Sequence, residues 1–388
     1  MAEFWAFLWS WQGQQWGILA YLAVLLANAL LNVLTLPRLG RSPQAGNEPG
    51  AWPTVSLLVP ARNEEATIER CVRSLLAQDY PAFDLWVLDD NSTDRTPAIL
   101  ARLAGQDARL QVRRGTPPPA GWLGKPWACH QLAQHATGQV LLFVDADTWH
   151  EPAMVRAVVG TLLHHQADLL SALPRQHVES WAERLTVPLI PWCLLTHFPL
   201  WAARWTGGRR FAVGVGQVLA MPRASYRRLG GHAGVRQQVT EDMALAQRVA
   251  RGGGRWLLCD GTGVAHCRMY RTPAQVWEGF GRNLYAVFGG HLPLYLFVWL
   301  WLTLVLMGPW VALALGEARG FSPPLALLAL AIQAGTWALT LWRLNLPPRL
   351  LGLFPLVHGA MVLVAFHSLG QGLTRRTRWK GRAVHVPP

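Results

Sequence analysis

The chain has 388 residues, of which 51% are hydrophobic and only 15% are charged, and it contains 21 tryptophans. This composition excludes an ordinary soluble enzyme, although the middle of the chain is polar. We therefore expect a membrane protein that carries one soluble domain. The formal net charge of +13 comes from arginine clusters beside apolar segments, which favours an anionic lipid surface over nucleic acid as a partner.

The cysteines indicate neither a zinc site nor a disulfide framework. They are scattered, show no CxxC spacing and are odd in number. The simplest interpretation is a reducing environment and a domain that faces the cytosol. The five are Cys71, Cys129, Cys193, Cys259 and Cys267.

The first apolar run, residues 17–36, is about long enough to cross the hydrocarbon core as a helix. It lacks a basic leading region and a small-residue cleavage site, so we interpret residues 1–39 as a retained anchor. Arg38 and Arg41 follow this run, whereas Glu3 alone among charged residues precedes it. The positive-inside rule then puts the N-terminus outside and the following domain in the cytoplasm, and we expect a multi-pass protein of the plasma membrane.

A linker rich in Gly and Pro, residues 40–53, leads into a domain at 54–290 where apolar strands and amphipathic helices alternate. This alternation predicts an α/β fold with a doubly wound, Rossmann-like sheet inserted between transmembrane helices. The predicted strands are 55–59, 84–88, 110–113 and 140–144, and the predicted helices are 66–77, 97–103, 126–135 and 241–249.

The second half of the chain contains four more apolar segments. Residues 185–205 are interrupted by three prolines and predict an interfacial helix pair rather than a span. Three C-terminal helices within 291–372 are predicted to cross the membrane, before a basic tail at 373–388. Four crossings would put this tail on the side opposite the catalytic domain, against the positive-inside rule. Re-entry of one C-terminal segment would remove the conflict.

Acidic clusters lie at the ends of predicted strands. Asp90 follows one strand, and Asp145 and Asp147 follow another. Parallel strands bring such side chains to one sheet edge, where open α/β sheets bind ligands. Two carboxylates one residue apart suit a hard divalent cation such as Mg or Mn, and a later carboxylate, at Glu241 or Asp242, is available for proton transfer.

Four motifs in this order resemble the family 2 inverting glycosyltransferases, which have the GT-A fold. Two further motifs, at 121–128 and 279–283, resemble the membrane-bound branch that glycosylates carotenoids, hopanoids and related lipids. The resemblance covers residues 55–283. The four motifs are Pro60-Ala61-Arg62-Asn63-Glu64, Asp89-Asp90-Asn91-Ser92-Thr93-Asp94, Asp145-Ala146-Asp147 and Thr240-Glu241-Asp242.

The resemblance implies a role for each motif residue. It implies that Asp242 is the catalytic base and that Asp147, assisted by Asp145, holds the divalent cation. It implies an acceptor side formed by Gly216, Gln217, Glu241 and Asn283, and a single transfer, because residues 277–283 replace the Gln-x-x-Arg-Trp of processive synthases. The residues implied to bind the nucleotide sugar are Pro60, Arg62, Glu64, Asp90, Lys125, Asp145 and Arg282.

Each motif also has a purely structural interpretation. Asp145 or Asp147 would cap a helix that begins near Pro152, Asp90 would form an Asx-turn, and Asp242 would stabilise a helix N-terminus. Lys125 would be a solvated surface side chain. His266 is either a further metal ligand or a packed histidine.

The sequence predicts a metal-dependent, inverting glycosyltransferase that moves a sugar from a nucleotide-diphospho-sugar, preferably a UDP-sugar, to a membrane lipid such as a carotenoid or related isoprenoid. Transfer to a polyprenyl phosphate or a polysaccharide precursor lipid is the alternative. A noncatalytic membrane scaffold is the alternative of another class, while a nicotinamide oxidoreductase is excluded because no GxGxxG follows the first strand. The alternative of a phosphate-bearing acceptor rests on a group of arginines near the acceptor loop, namely Arg204, Arg209, Arg210, Arg223, Arg227 and Arg228.

Overall fold

A computed structural model describes residues 10–40, 52–205, 211–289, 291–374, 378–379 and 382–383. The N-terminal helix α1 spans Trp11–Thr35 and so begins earlier than predicted. Ser10 explains this start, because its side chain accepts a hydrogen bond from the Gly13 N–H at 3.0 Å. An N-terminal cap of this kind satisfies a backbone donor that the helix itself leaves without a partner.

The soluble domain begins with alternating strands and helices, and all eight predicted elements are present with ends shifted by only a few residues. Each of the seven elements of the first half buries an apolar face, or a continuous apolar stretch, in the core around the central sheet. They are β1 Val55–Ala61, α2 Ile68–Leu76, β2 Phe83–Asp89, α3 Thr96–Ala104, β3 Leu110–Arg114, α4 Gly124–His135 and β4 Val140–Val144.

The second half of the domain adds short strands and helices around the same sheet. The elements before the apolar insertion are β5 Thr148–His150, α5 Met154–His164, β6 Leu169–Leu173 and β7 Arg175–Gln176. The insertion itself forms α6 Trp181–Thr186, α7 Leu189–His197 and α8 Leu200–Trp205. After it come β8 Val218–Pro222, α9 Arg223–Arg228, a 3-10 helix Gly231–Val235, α10 Glu241–Arg251, β9 Trp256–Asp260 and β10 Ala265–Cys267.

Seven strands form the central sheet, in the order β3-β2-β1-β4-β8-β6-β9. Strand β8 runs antiparallel to both of its neighbours, which the sequence did not predict. Its first residue, Val218, pairs with Val144, the last residue of β4. The loop before β8 is therefore held beside the carboxyl end of β4, where Asp145 follows.

The C-terminal part is a set of long apolar helices. In the described residues, four helical segments, α1 and three here, are long and apolar enough to cross a membrane. The strands β11 Arg378–Trp379 and β12 Arg382–Ala383 pair after them. The helices are α11 Pro273–Val287, α12 Leu292–Leu315, α13 Pro323–Arg343 and α14 Phe354–Leu373, with 3-10 turns at Glu317–Arg319 and Pro348–Leu353.

The apolar insertion joins the soluble domain to these helices. The predicted helix pair of residues 185–205 is present as α7 and α8, which Pro199 separates, and the short helix α6 precedes it. Trp192 of α7 is fully buried and donates from its ring nitrogen to the Thr336 hydroxyl of α13 at 3.0 Å. Asn32 of α1 donates to the carbonyls of Leu195 and Phe198.

Candidate active site

The ends of β1 and β2 form one side of the site. The register pairs Ala61 with Asp89, and the Asp90 N–H donates to the Ala61 carbonyl at 2.7 Å. Arg62 crosses this edge and donates to the carbonyls of Asp90 and Asn91 at 2.5 and 3.1 Å. The structure thus brings Arg62 and the buried Asp90 together, as the sequence predicted.

Two other aspartates of this motif, Asp89 and Asp94, accept hydrogen bonds from backbone N–H groups in local turns. The Asp89 carboxylate accepts from the Ser92 N–H at 3.1 Å, and the Asp94 carboxylate accepts from the Thr96 N–H at 2.9 Å. Asn91 has a φ of 54°, a left-handed conformation that Asn tolerates well. Turn chemistry therefore operates in this motif through Asp89 and Asp94.

Asp145 and Asp147 do not cap the next helix. Strand β5 intervenes, and α5 begins at Met154 after an Ala153 that makes no side-chain capping bond. The interpretation as a helix cap is therefore wrong. Asp145 instead forms an ion pair with Lys125, whose Nζ lies 2.7 Å from Asp145 Oδ1, and both side chains are about one-quarter exposed.

Lys125 is a partly buried group held by two carboxylates, not a solvated surface side chain. Its Nζ lies 2.7 Å from Asp145 and 2.9 Å from Glu241. Burial alone would lower the pKa of Lys125, but the charges of Asp145 and Glu241 outweigh it and raise the pKa well above its usual value. The ammonium is therefore charged throughout the physiological range.

Gly216 lies at the centre of the site. Its N–H donates to Asp242 Oδ2 at 2.7 Å, and the Met243 N–H donates to Asp242 Oδ1 at 2.7 Å. A methyl group on Gly216 would lie 3.0 Å from Lys125 Nζ, 3.4 Å from Asp242 Oδ2 and 3.6 Å from Asp145 Oδ2. Four predicted site residues thus surround one point.

Asp242 lies in the first turn of α10 beside Glu241. Burial, together with the negative charge of Glu241, raises the pKa of Asp242 to about 7, although Lys125 opposes this rise. A carboxylate with such a pKa is matched to proton transfer near neutral pH. Stabilisation of the helix N-terminus is compatible with this position, but it does not account for the bond from Gly216.

Three other predicted residues are less central. Gln217 is buried and donates to Cys267 Sγ at 3.4 Å, so it supports the wall rather than facing the point beside Gly216. Glu64 accepts from the Thr67 hydroxyl at 3.0 Å at the start of α2. Pro60 lines the small cavity that also contains Lys125 and Asp242.

Some predicted residues fall elsewhere. Arg282 and Asn283 belong to α11, but their side chains lie outside the described part of the structure, as do Arg209 and Arg210. Arg223 bonds to the Thr137 carbonyl just before β4, and Arg228 pairs with Asp168 just before β6. Because these two arginines lie at the opposite edge of the sheet, they do not line the acceptor side.

The sequence did not predict how the cavity wall is built. Phe143 stacks on Tyr226, whose hydroxyl lies 2.8 Å from His232 Nδ1. Burial lowers the pKa of His232 to about 3, so this imidazole is neutral. Alternation along β4 points Phe143 to the same face as Asp145, which is the signal that identifies the wall.

His266 is paired on the outer face of the small sheet of β5, β10 and β7. Its Nε2 lies 3.0 Å from Glu151 and its Nδ1 lies 3.3 Å from His177 Nε2. The neighbouring Cys267 side chain faces the opposite way, towards Gln217. These contacts favour the packed-histidine interpretation over the metal ligand.

The acidic edge fits a cation that is shared with a substrate. Within the described ranges, no three His, Cys, Asp or Glu side chains are arranged to hold an ion by themselves. Mg²⁺ and similar ions commonly use one or two carboxylates and take their other ligands from phosphates and water. Asp145 and Asp147, one residue apart at a strand end, supply that kind of donor set.

Comparison with known proteins identifies the domain. Residues 56–212, which include β1 to β4 and the two strand-end acidic motifs, match the model of the glycosyl transferase family 2. The chain carries a family 2 glycosyltransferase domain. The fold and the placement of Asp90 and Asp145 at one sheet edge agree with this assignment.

Two curated relatives match parts of the chain. The beta-monoglucosyldiacylglycerol synthase of Nostoc sp. is 39% identical over 28% of this chain and 24% of its own length. The 4,4'-diaponeurosporenoate glycosyltransferase of Staphylococcus aureus is 27% identical over 62% of this chain and 63% of its own length. The chain thus matches about a quarter of the first relative and less than two thirds of the second.

A solved mannosyltransferase structure resembles nearly the whole chain in fold. The mannosyltransferase of Pyrobaculum calidifontis, solved in complex with GDP-Man and Mn²⁺, superposes with a TM-score of 0.52 over 92% of this chain and 99% of its own. The sequence identity is 17%, so the likeness shows the fold alone. This fold is the GT-A arrangement expected from the motifs.

Proposed function

We propose that this protein is a membrane-bound, metal-dependent, inverting glycosyltransferase that moves a sugar from a UDP-sugar to a lipid. The observation that carries the proposal is the convergence of Asp242, Asp145 and Lys125 around Gly216. This point lies at the carboxyl edge of the sheet, where α/β folds bind nucleotides.

In the proposed reaction, an acceptor hydroxyl attacks the anomeric carbon of the donor sugar. The bond from that carbon to the diphosphate breaks as the new glycosidic bond forms, and the hydroxyl proton goes to Asp242. The two hydrogen bonds that Asp242 accepts, from Gly216 and Met243, fix the orientation of its carboxylate. A single base on the side opposite the leaving group inverts the anomeric centre.

The donor is held by the edge next to this base. Asp90 and Arg62, together with Pro60 and Glu64, are proposed to contact the base and ribose. Asp147 and Asp145 would hold a divalent cation, which when bound neutralises charge on the diphosphate. Lys125, with Arg282, would face the same phosphates as a positive charge.

The acceptor is proposed to be a lipid, preferably a carotenoid or related isoprenoid. The names of two relatives, a diaponeurosporenoate glycosyltransferase and a glucosyldiacylglycerol synthase, support a lipid class. The apolar helices α12 to α14 adjoin the domain and support access from a membrane. The position of Arg223 and Arg228 away from the site weakens the alternative of a polyprenyl phosphate acceptor.

The proposal is tested by sugar transfer into lipid. Membranes from cells that produce the chain are incubated with radiolabelled UDP-glucose, UDP-galactose, UDP-GlcNAc or GDP-mannose and Mn²⁺, and label is counted in the organic extract. We expect label from one UDP-sugar, and mass spectrometry of the lipids then gives the acceptor. Label from GDP-mannose alone would refute the UDP-sugar, and absence of label with every donor would favour a noncatalytic scaffold.

Asp242→Asn is the decisive variant, since it keeps the shape of the side chain but cannot take the proton. We expect at least a 1000-fold loss of transfer with nearly unchanged protection by UDP in thermal unfolding. The matched control is Asp79→Asn, whose side chain is 74% exposed and distant from the site. Substantial transfer by the Asp242 variant would assign the base elsewhere.

A further inference from the structure

The apolar bundle has two ends that can be told apart by contacts. At the catalytic end, Arg343 of α13 forms an ion pair with Asp260 of β9 and donates to the Leu36 carbonyl at 2.7 Å. At the far end, Gln15 of α1 and Ser322, just before α13, exchange two hydrogen bonds at 2.8 and 3.0 Å. Helices α1 and α13 therefore run in the same direction, each from the far end to the catalytic end.

Helix α12 runs the other way. It begins at Leu292, shortly after α11, which packs against the soluble domain's insertion. It ends at Leu315, just before the 316–322 turn. In this turn the ring centroid of Phe321 lies 5.0 Å from that of Trp11, the first residue of α1. Helix α12 is thus a complete crossing from the catalytic end to the far end, and α13 is the complete return.

Helix α14 begins inside the bundle instead of at either end. The Phe354 ring lies 6.2 Å from Trp310, which is near the far part of α12. One turn later, His358 Nε2 accepts from Trp337 Nε1 at 3.0 Å, less than two turns from the catalytic end of α13. Helix α14 then heads towards the catalytic end, because the Ala365 carbonyl accepts from the hydroxyl of Tyr295 near the start of α12 at 2.8 Å.

The part of α14 that lies beside α12 is too short for a crossing. From Phe354 to Ala365 it has about 12 residues, or roughly 18 Å at the helical rise of 1.5 Å per residue. A hydrocarbon core is about 30 Å thick and needs about 20 residues. The rest of α14 packs on α11, outside the span, where Ser368 accepts from the Tyr285 N–H at 3.0 Å.

We propose that residues 344–373 form a re-entrant hairpin that enters the membrane from the catalytic end and returns to it. The 3-10 turn Pro348–Leu353 carries the chain inward along α13, with Leu350 buried, and α14 carries it out again. The protein thus has three complete crossings. Leu350 of this turn is buried in protein, whereas Pro348, Arg349 and Gly352 are exposed, and the long Arg349 side chain can keep its charge at the headgroups.

The hairpin places a basic surface at the leaflet on the catalytic side. Residues 375–383 follow α14 directly and include five basic side chains, Arg375, Arg376, Arg378, Lys380 and Arg382. Anionic headgroups attract such juxtamembrane clusters by about 1 kcal/mol per basic residue. The tail and the basic residues after α1 then lie on one side, which satisfies the positive-inside rule.

The test is the side from which the tail can be labelled. Three variants with one added cysteine each are made on a Cys193→Ala background, in which the four remaining native cysteines are buried: Pro388→Cys, Ala108→Cys on the soluble domain and Glu317→Cys at the far end. A membrane-impermeant maleimide is applied to sealed vesicles of each orientation, and labelling after detergent treatment gives the total.

We expect Pro388→Cys to label from the same side as Ala108→Cys and opposite to Glu317→Cys, with a difference of at least tenfold in labelling rate between the two vesicle orientations. If Pro388→Cys labels with Glu317→Cys, α14 crosses the membrane and the hairpin is refuted. This result does not depend on which sugar or lipid the protein uses.

Discussion

Removal of the charge of Lys125 should move the pH dependence of sugar transfer. Lys125 Nζ and Asp242 Oδ2 lie 3.0 and 3.4 Å from the position of a methyl group on Gly216, so they are no more than about 6.5 Å apart. The ammonium therefore stabilises the ionised form of the proposed base. In Lys125→Gln that stabilisation disappears, while the negative charge of Glu241, which raises the pKa of Asp242, remains.

The size of the effect follows from Coulomb's law. A pair of unit charges about 6.5 Å apart interacts by roughly 0.6 kcal/mol in water and about 2.5 kcal/mol at an effective dielectric constant of 20. These energies correspond to a rise of about 0.5 to 2 units in the pKa of Asp242. Both side chains are partly exposed, so solvent screening favours the lower half of this range.

The sign follows from the role of the base. Transfer requires ionised Asp242, so the rate rises as the pH increases through its pKa, which is about 7 in the native protein. A higher pKa moves this acid limb to higher pH, and the variant loses more activity at pH 6 than at pH 9. Initial rates of label transfer at saturating UDP-sugar, measured from pH 5.5 to 9.5, give the position of the limb.

Two control variants separate this effect from loss of phosphate binding. Lys125→Arg keeps the charge and should leave the acid limb in place even if the rate falls, and Arg113→Gln removes an exposed charge that does not line the cavity. A uniform loss of rate in Lys125→Gln, with the acid limb unmoved, would show that Lys125 does not act on the base.

Three further predictions concern the cation, the centre of the site and the junction with the bundle. In Asp147→Asn, stabilisation of the fold by UDP with Mn²⁺ should fall by about 2.7 kcal/mol at a ligand concentration 100 times the native Kd, measured by thermal unfolding with and without EDTA. Gly216→Ala should fold normally, since no left-handed φ is required at this position. It should lower sugar transfer about tenfold, because the added methyl group displaces Lys125. An unchanged rate in the transfer assay would mean that the position of Lys125 is unimportant. Arg343→Met should lower the free energy of unfolding by up to about 3 kcal/mol, because it breaks a buried ion pair with Asp260. The control Arg38→Met removes a side chain that is 34% exposed and should cost less than about 1 kcal/mol. Equal shifts in the thermal midpoint of the two variants would contradict the contribution of the buried ion pair.

The sequence was sufficient to predict β1 to β4, helices α2 to α4 and helix α10, but none of the strands β5 to β10. Strand β4 at Val140–Val144 has the predicted ends, because it is a continuous apolar run with polar boundaries, and helix α12 at Leu292–Leu315 lies within the predicted helical region 291–372. Asp145 and Asp90 were predicted to share an edge because both follow such strands. These features depend on local pattern, which a single sequence carries.

The arrangement of the site depends on long-range pairing, which local pattern does not encode. Strand β8 is as apolar as β4 and β6, its neighbours in the sheet, so nothing in Val218–Pro222 indicates that it runs antiparallel to β4. That orientation alone brings Gly216 beside Asp145 and lets its N–H bind Asp242. The pairing of Lys125 with Glu241, more than one hundred residues away, is unpredictable for the same reason.

The contacts around Asp147 connect the acidic edge of the sheet to the apolar bundle. The Arg268 N–H donates to the Asp147 carbonyl at 3.3 Å, and the Arg268 guanidinium pairs with Glu183 of α6 at 2.9 Å. Glu183 also closes a capping box with Ser180, so the start of α6 is fixed relative to the acidic edge. Helix α6 packs through Ala182 near Val364 of α14. Arg268 therefore links the proposed cation site to a helix that contacts the apolar bundle.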